Sequence, residues 1–259
     1  MNQTQKERFN QDGYLHLNQV IDPQDLRNLS GVLRPLVETL NPNKDPLGER
    51  STYRKAFNQV TNLWQKSEAV KAFVFRRDLA RLAADIMGVS NVRLYHDQAL
   101  FKEAHGGATP WHVDQVYWPM DTDKTCTFWI PLQSVAREMG PLSFAVGSHL
   151  SKDGRDMVIS DASEAFFSAW VAENQFKVSE DIFELGDVSV HAGWTVHHAG
   201  PNLTDRPRDV MTIIYMDAEA RLKDPLTDTQ KIDRDAFCPE LAKGELINTE
   251  LNPILYKKK

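Results

Sequence analysis

The sequence predicts a mainly β domain with flanking helices, and two observations predict it. From residue 92 to 217, short runs rich in β-branched and aromatic residues recur between turn residues, the pattern of a sandwich or barrel. Before about residue 90, apolar residues recur instead at helical spacing. The 259 residues are enough to bury a sizeable core.

Residues 7–40 read as mostly helical around a short strand. Asp12-Gly13 marks a turn, Tyr14-Leu15-His16-Leu17 is strand-like, and Asp22-Pro23 opens a helix carrying Leu26, Leu29, Leu33 and Leu36 on one face. Residues 41–52 form a polar loop, and a second helical stretch covers about 64–87 and stops at Gly88. A long strand follows over 92–102, then short strands over 111–117, 125–132, 142–146, 182–185, 187–191, 194–198 and 208–217. Residues 161–174 break the β pattern, because Phe166, Phe167, Trp170 and Val171 share one helical face. That face predicts ordinary packing on the β core ahead of a substrate lid. The tail from 218 is polar and turn-rich, and Lys257-Lys258-Lys259 reads as a solvated end. The chain thus divides into a helical part about 1–90, a β core about 91–217 and a C-terminal extension 218–259, read as one domain over 1–259.

Composition excludes several function classes. The net charge of −6 offers no general attraction to nucleic acid or an anionic membrane. No apolar run approaches the roughly 20 residues of a membrane span, and Met1-Asn2-Gln3-Thr4-Gln5-Lys6 carries no signal-peptide core. Two cysteines, Cys126 and Cys238, build neither a disulfide framework nor a CxxC zinc site. A cytoplasmic enzyme acting on a small molecule is the expectation, with no oligomeric state implied.

The chemistry concentrates in His112-Val113-Asp114 together with His197 and Arg208. On a strand, His112 and Asp114 point to the same face. An imidazole and a carboxylate side by side can grip one metal ion, and a second imidazole completes the two-histidine, one-carboxylate set of non-haem Fe(II) oxygenases. A lone His-x-Asp is a weak signal among 8 histidines. The added weight comes from Arg208, which begins the apolar strand Val210 to Tyr215 and can point into the β core. A buried guanidinium is costly unless an anion meets it. A dicarboxylate cosubstrate held by a bidentate fork would be that anion.

With these residues in view, the chain resembles the phytanoyl-CoA dioxygenase family of Fe(II)/2-oxoglutarate-dependent oxygenases. The matching stretches are Phe9-Asn10-Gln11-Asp12-Gly13-Tyr14, Asp97 to Lys102, Thr109-Pro110-Trp111-His112-Val113-Asp114, Trp129-Ile130-Pro131-Leu132, Gly140-Pro141-Leu142 with Gly147-Ser148-His149, and His197 to Arg208. The resemblance implies a double-stranded β-helix, a cupin-like jelly-roll barrel, with iron inside one open end. It places His112, Asp114 and His197 on the metal triad and Arg208 on the far carboxylate of 2-oxoglutarate. Trp129 falls beside that cosubstrate, and Gln98 and Thr109 where pocket-lining polar residues are common. Many members have Ser or Thr where this chain has Ala199, so another hydroxyl or water must serve, or the cosubstrate is held more loosely. The implied reaction is hydroxylation of an unactivated C–H, with 2-oxoglutarate and O2 converted to succinate and CO2. Asp114 argues against a halogenase, in which a small residue replaces the carboxylate, while desaturation or ring formation by the same oxidant stays open.

The remaining polar residues have plainer readings. His198, next to His197, should face the other side of its strand. His191 reads as structural or as a partner of a ligand, His149 as fixing a turn, and His105 and Arg206 as exposed. Gln115, Tyr117 and Trp118 could line the cavity, Gln59, Asn62 and Trp64 could lie near its mouth, and Lys102 could meet an anionic substrate or end a strand. Two other functions fit the same barrel. One is a cupin-like isomerase or hydrolase using Zn or Mn, which needs neither Arg208 nor 2-oxoglutarate. The other is a non-enzymatic binding protein, against which the intact triad speaks.

Overall fold

The computed structural model describes residues 3–41 and 43–258, so expectations that touch Met1, Asn2, Pro42 and Lys259 lie outside the described residues. In chain order the strands are β1 (Tyr14–Leu17), β2 (Asn58–Thr61), β3 (Asn91–Phe101), β4 (Thr109–His112), β5 (Thr125–Pro131), β6 (Leu142–Ala145), β7 (Val178–Glu180), β8 (Val188–Ala192), β9 (His197–Ala199), β10 (Val210–Asp217) and β11 (Ile254–Lys257). The helices are α1 (Gln3–Asp12), α2 (Pro23–Leu40), α3 (Thr52–Ala56), α4 (Glu68–Val74), α5 (Arg77–Met87), α6 (Asp161–Glu173) and α7 (Asp228–Phe237).

Two antiparallel sheets make the jelly roll. The larger runs β1-β8-β5-β10-β3-β11, and β2 shares the outer edge of β3 with β11. The smaller runs β4-β9-β6-β7. Strand alternation divides the larger sheet into two chemistries. Cys126, Phe128 and Ile130 of β5 and Met211, Ile213 and Tyr215 of β10 meet the helices in one apolar cluster with Leu26, Leu29 and Leu33 of α2. Thr127 and Trp129, and Thr212 and Ile214, point the other way into a cavity. Both faces are covered, which is why these strands read as near-continuous apolar runs.

Strand β3 breaks its own alternation. Ile214 pairs with His96 but Tyr215 pairs with Leu94, so Tyr95 is the extra residue of a β-bulge. Leu94 faces the helices, while Tyr95 and His96 both turn inward. The bulge is held from outside. Buried Asn252 donates from its amide to the carbonyls of Leu94 (3.3 Å) and Tyr95 (3.0 Å) and accepts from the Thr249 hydroxyl (2.7 Å).

Several elements differ from the sequence expectation. The helix over 64–87 is two helices, α4 capped by Ser67 and α5 beginning after Arg76, whose backbone is non-helical at ψ 116. The Arg76 guanidinium binds Asp78 (2.6 Å) in the first turn of α5 and Asp25 (2.9 Å) of α2, which fixes the break. Gly88, at φ 70, ends α5 as expected. Leu36 is half-buried, and Val37 takes its place in the core. The loop after α2 ends in α3 and β2, neither of which was expected. Strand 111–117 stops at His112, because the chain turns: Tyr117 N–H donates to the Asp114 carbonyl (3.2 Å) and Trp118 N–H to that of Gln115 (3.1 Å). Of 182–185 only Phe183 bridges, to Val135, and 194–198 becomes a turn into β9. Helix α6 packs Phe167 and Trp170 against Trp111, Val113 and Val196 and does not line the cavity, so it is packing and not a lid.

The largest correction is the C-terminal extension. It folds back, giving α7 against the inner face and β11 on β3. Thr227 and Gln230 form a capping box at the start of α7, and the Gln230 amide also donates to the Val116 carbonyl (3.0 Å) in the turn after Asp114. Lys258 is exposed, in keeping with a solvated end. No helix among the described residues is long and apolar enough to cross a membrane.

Asn252→Ala leaves two buried carbonyls at the bulge without donors. Each such loss costs about 1–3 kcal/mol, so denaturant unfolding should show a destabilisation of about 2–6 kcal/mol. Lys258→Ala should change stability by less than about 0.5 kcal/mol. Equal effects of the two would contradict this role for the extension.

Candidate active site

The site is built where the two sheets face each other, in a cavity of 470 Å³. Strand β4 delivers His112 and ends, and Asp114 begins the turn beyond it. Strand β9 pairs with β4 so that His197 stands directly opposite His112. One ligand atom from each of His112, Asp114 and His197 lies within 4.8 Å of the others. Both imidazole Nε2 atoms are 3.7 Å from Asp114 Oδ1.

Local hydrogen bonds aim these groups. The Nδ1 of His112 is 2.7 Å from the Pro110 carbonyl, and that of His197 is 2.9 Å from the Thr195 carbonyl. A carbonyl only accepts, so each Nδ1 carries the proton and each Nε2 presents its lone pair to the centre. Burial pushes the pKa of both imidazoles down, which keeps them in this neutral form. Asp114 Oδ2 accepts from the Thr127 hydroxyl (2.9 Å) and faces His191 Nε2 (3.2 Å). Burial works against ionising Asp114, but positive charge at the surrounding His197, His191 and His112, with the His191 hydrogen bond, holds the carboxyl well below its usual range, and with the ligand imidazoles neutral that charge is a metal cation's to supply. The result is a carboxylate with one oxygen tethered and the other facing two unprotonated imidazole nitrogens. This donor set suits a first-row divalent cation and leaves coordination positions open on the cavity side.

Arg208 lines the same cavity with 2% exposure. It bridges Lys102 through backbone hydrogen bonds of 2.8 and 2.9 Å, just before β10. Its Nη1 donates to the Gly140 carbonyl, its Nε has no partner among the described residues, and its guanidinium carbon is 5.4 Å from the centre of the Trp129 ring. Burial lowers it to about 10, still cationic at neutral pH, with Asp209 opposing the shift. A buried cation with unused donors in a cavity calls for an anion.

Gln98, Thr109 and Trp129 all line the cavity. Gln98 accepts from the Gln59 amide (2.6 Å), whose own oxygen accepts from Tyr53 (2.8 Å). Thr109 pairs directly across from Ala199, so its buried side chain shares the face from which a side-chain hydroxyl at 199 is missing. His198 faces away, stacked 3.9 Å from Trp111. His191 is the partner of Asp114, His149 bonds the Asn10 carbonyl (3.1 Å), and His105 is exposed beside Asp205, as is Arg206.

Three readings on the substrate side change, and Lys102 takes the strand-end alternative. Tyr117, Trp118 and Gln59 line the cavity, but Gln115 is buried in the turn, where it bonds Thr125 and the Thr122 carbonyl. Asn62 and Trp64 do not line it: Asn62 adopts φ 51, and Trp64 packs on Phe75 in the helical layer. Lys102 is a buried strand-end residue whose ammonium donates to the Gly107 carbonyl. Burial and then Arg208 push it down to about 6. Lining residues missed by the sequence reading include His96, Thr127, Thr212, Asp233 and Phe237. The capping box Thr227-x-x-Gln230 was a usable signal for the helix that carries the last two.

Comparison with known proteins agrees with this geometry. The family model for phytanoyl-CoA dioxygenase matches residues 9–210. A probable alpha-ketoglutarate-dependent hypophosphite dioxygenase of Stutzerimonas stutzeri is 25% identical over 170 residues, which span 64% of this chain and 59% of that relative's length. The crystal structure of SnoK, a non-haem alpha-ketoglutarate-dependent carbocyclase from nogalamycin biosynthesis, superposes with a TM-score of 0.81 at 23% identity, over 98% of this chain and 96% of that one, and shows the same fold. The epimerase SnoN, in complex with Fe3+, alpha-ketoglutarate and nogalamycin RO, superposes with a TM-score of 0.79 at 25% identity, over 98% of each chain.

Gly140 connects this geometry to stability. It adopts φ 66, and a Cβ there would run into the Gly200 carbonyl and approach the Pro201 carbonyl to 2.8 Å. The left-handed backbone alone costs a non-glycine residue about 1–3 kcal/mol. Gly140→Ala should therefore destabilise the protein by at least that much and displace the carbonyl that holds Arg208. In Gly200→Ala the new Cβ meets only the Gly140 Cα at 3.6 Å, and thermal unfolding should barely change. A tolerated Gly140→Ala would refute this packing.

Proposed function

The chain belongs to the phytanoyl-CoA dioxygenase family of iron- and 2-oxoglutarate-dependent oxygenases, and on that footing we propose that it hydroxylates an unactivated C–H bond of a small organic substrate. In this reading 2-oxoglutarate and O2 become succinate and CO2, and residues 1–259 act as one dioxygenase domain. The observation that carries the reading is the convergence of His112, Asp114 and His197 within 4.8 Å in the cavity lined by the partly unpaired guanidinium of Arg208.

Fe(II) is assigned to the three side chains, and with 2-oxoglutarate bound it supplies the O2-dependent oxidation of carbon. The protein's part is placement. The Pro110 and Thr195 carbonyls keep the two Nε2 lone pairs facing inward. Thr127 and His191 hold Asp114 so that one oxygen is presented and the carboxylate cannot swing away. Arg208 receives the far carboxylate of 2-oxoglutarate with its free donors, and the Trp129 ring flanks that cation. Thr109, opposite Ala199, offers the hydroxyl that many relatives carry at position 199. Tyr117, Trp118, Ile214 and Phe237 wall the substrate side with apolar surface and exclude water from the reacting carbon.

Metal content separates the two adjacent histidines. His197→Ala and Asp114→Ala should lose tight Fe(II) binding while staying folded by circular dichroism, and His198→Ala should keep one iron per chain. A full complement of iron in His197→Ala would remove it from the ligand set.

Hydroxylation is tested by the fate of oxygen. Under 18O2, with a substrate found by screening for succinate release, one 18O atom should enter the product as an alcohol. An epimerised or ring-closed product without 18O would overturn hydroxylation and leave the family assignment standing.

A further inference from the structure

The cavity has two chemically opposite regions. Arg208 stands across from Lys102 at the start of β10, while His96 stands across from Ile214 further along the same strand. At roughly 3.3 Å per residue these levels are about 20 Å of strand apart. The His96 level is closed by α7, which contributes Ile232, Asp233, Ala236 and Phe237 to the lining.

Asp233 is the one lining carboxyl besides Asp114 among the described residues. Buried Tyr95, the residue extruded by the bulge, donates its phenol to Asp233 Oδ2 at 2.6 Å. The other oxygen has no hydrogen-bond partner, and no basic side chain forms an ion pair with Asp233, among the described residues. The imidazole on this side of the cavity, His96, stacks 4.0 Å from Phe237, and burial pushes it down to about 4, so it is neutral. The protein therefore orients a carboxyl inside an aromatic pocket and supplies no counter-charge. Asp233 is half-buried, so its free oxygen faces the cavity and is open to a ligand.

We propose that Asp233, positioned by Tyr95, anchors a cationic amine of the substrate, whose remaining body is apolar and of ring size. The assignment rests on the oxygenase reading of the same cavity, and it names the substrate class. An ammonium satisfies the free oxygen with a charge-assisted hydrogen bond, about twice as strong as a neutral one. Tyr117, Trp118 and Phe237 line the same region, and aromatic faces attract cations. Burial raises Asp233 to about 7, and a bound ammonium shifts it back to the ionised form. A carboxylate or phosphate on the substrate would instead meet two acidic groups, Asp233 and Asp114. Tyr95 is a positioning residue and Asp233 the contact.

The test uses two probes with one skeleton, 4-phenylbutylamine and 4-phenylbutan-1-ol, titrated calorimetrically under strict anaerobiosis into the Fe(II)- and 2-oxoglutarate-loaded protein. The amine should bind at least tenfold more tightly than the alcohol. Asp233→Asn should abolish that preference and leave alcohol binding and 2-oxoglutarate binding unchanged, while Tyr95→Phe should weaken amine binding several-fold. Equal affinity for the two probes in the wild type, no amine binding at millimolar concentration, or an amine preference that survives Asp233→Asn each overturns the proposal. If the Fe(II) protein fails to bind 2-oxoglutarate, the oxygenase reading is what fails, and the probe comparison repeated without 2-oxoglutarate still decides the role of Asp233.

Discussion

The site depends on keeping one carboxylate ionised in a buried place. Asp114 leaves water at the end of β4, and desolvation of a lone carboxylate would raise its pKa or unfold its surroundings. Two neighbours answer that cost with hydrogen bonds, a hydroxyl from β5 and an imidazole from β8, while the neutral imidazoles from β4 and β9 face the second oxygen across the position a metal cation would fill. Strands from both sheets must be in register for these groups to meet, so the pairing of the jelly roll and the electrostatics of the centre stabilise each other. Removing any one partner leaves a buried charge exposed to its own desolvation penalty.

From that point the cavity is organised by charge. Arg208 is a buried cation with donors to spare, and Asp233 is a half-buried acid with one oxygen unused. Between them the lining is aromatic, apolar or hydroxylic. In the proposed reading, anionic and cationic ligand groups are thereby sorted to different parts of one pocket, the cosubstrate toward Arg208 and the substrate toward Asp233. The far region depends on the C-terminal extension twice, through α7, which carries Asp233, and through Asn252, which secures the bulge that turns Tyr95 inward.

Much of this was legible in the sequence where the determinant is local. His112, Asp114, His197 and Arg208 could be picked out because each lies in a short run; alternation lets only one of His197 and His198 face the metal, and the offset to Asn202 and Arg208 in the family resemblance picks His197. The helix over 161–174 followed from the spacing of its aromatic residues. What escaped depends on distant parts of the chain. Nothing near Tyr95 announces a bulge, because the donors that stabilise it come from Asn252. The break at Arg76 is set by Asp25 as well as by its neighbour Asp78. Helix α7 buries only Gln230 and Phe237, so its composition resembles a solvated tail although it closes the cavity. Gln115, in a turn that sequence periodicity read as strand, is turned away from the pocket for the same reason.

We propose that one cavity binds Fe(II) through His112, Asp114 and His197 and 2-oxoglutarate through Arg208. Anaerobic titration of the Fe(II)-loaded protein with 2-oxoglutarate tests it most directly, followed by the visible charge-transfer band of the chelated cosubstrate. The band should saturate at one 2-oxoglutarate per iron. In Arg208→Ala it should require roughly 100- to 1000-fold more 2-oxoglutarate, in line with about 3–5 kcal/mol for an unpaired buried charge. Arg208→Lys should recover only part of that loss, because an ammonium lacks the planar fork. No band in the wild type, or an unchanged titration in Arg208→Ala, would contradict the claim.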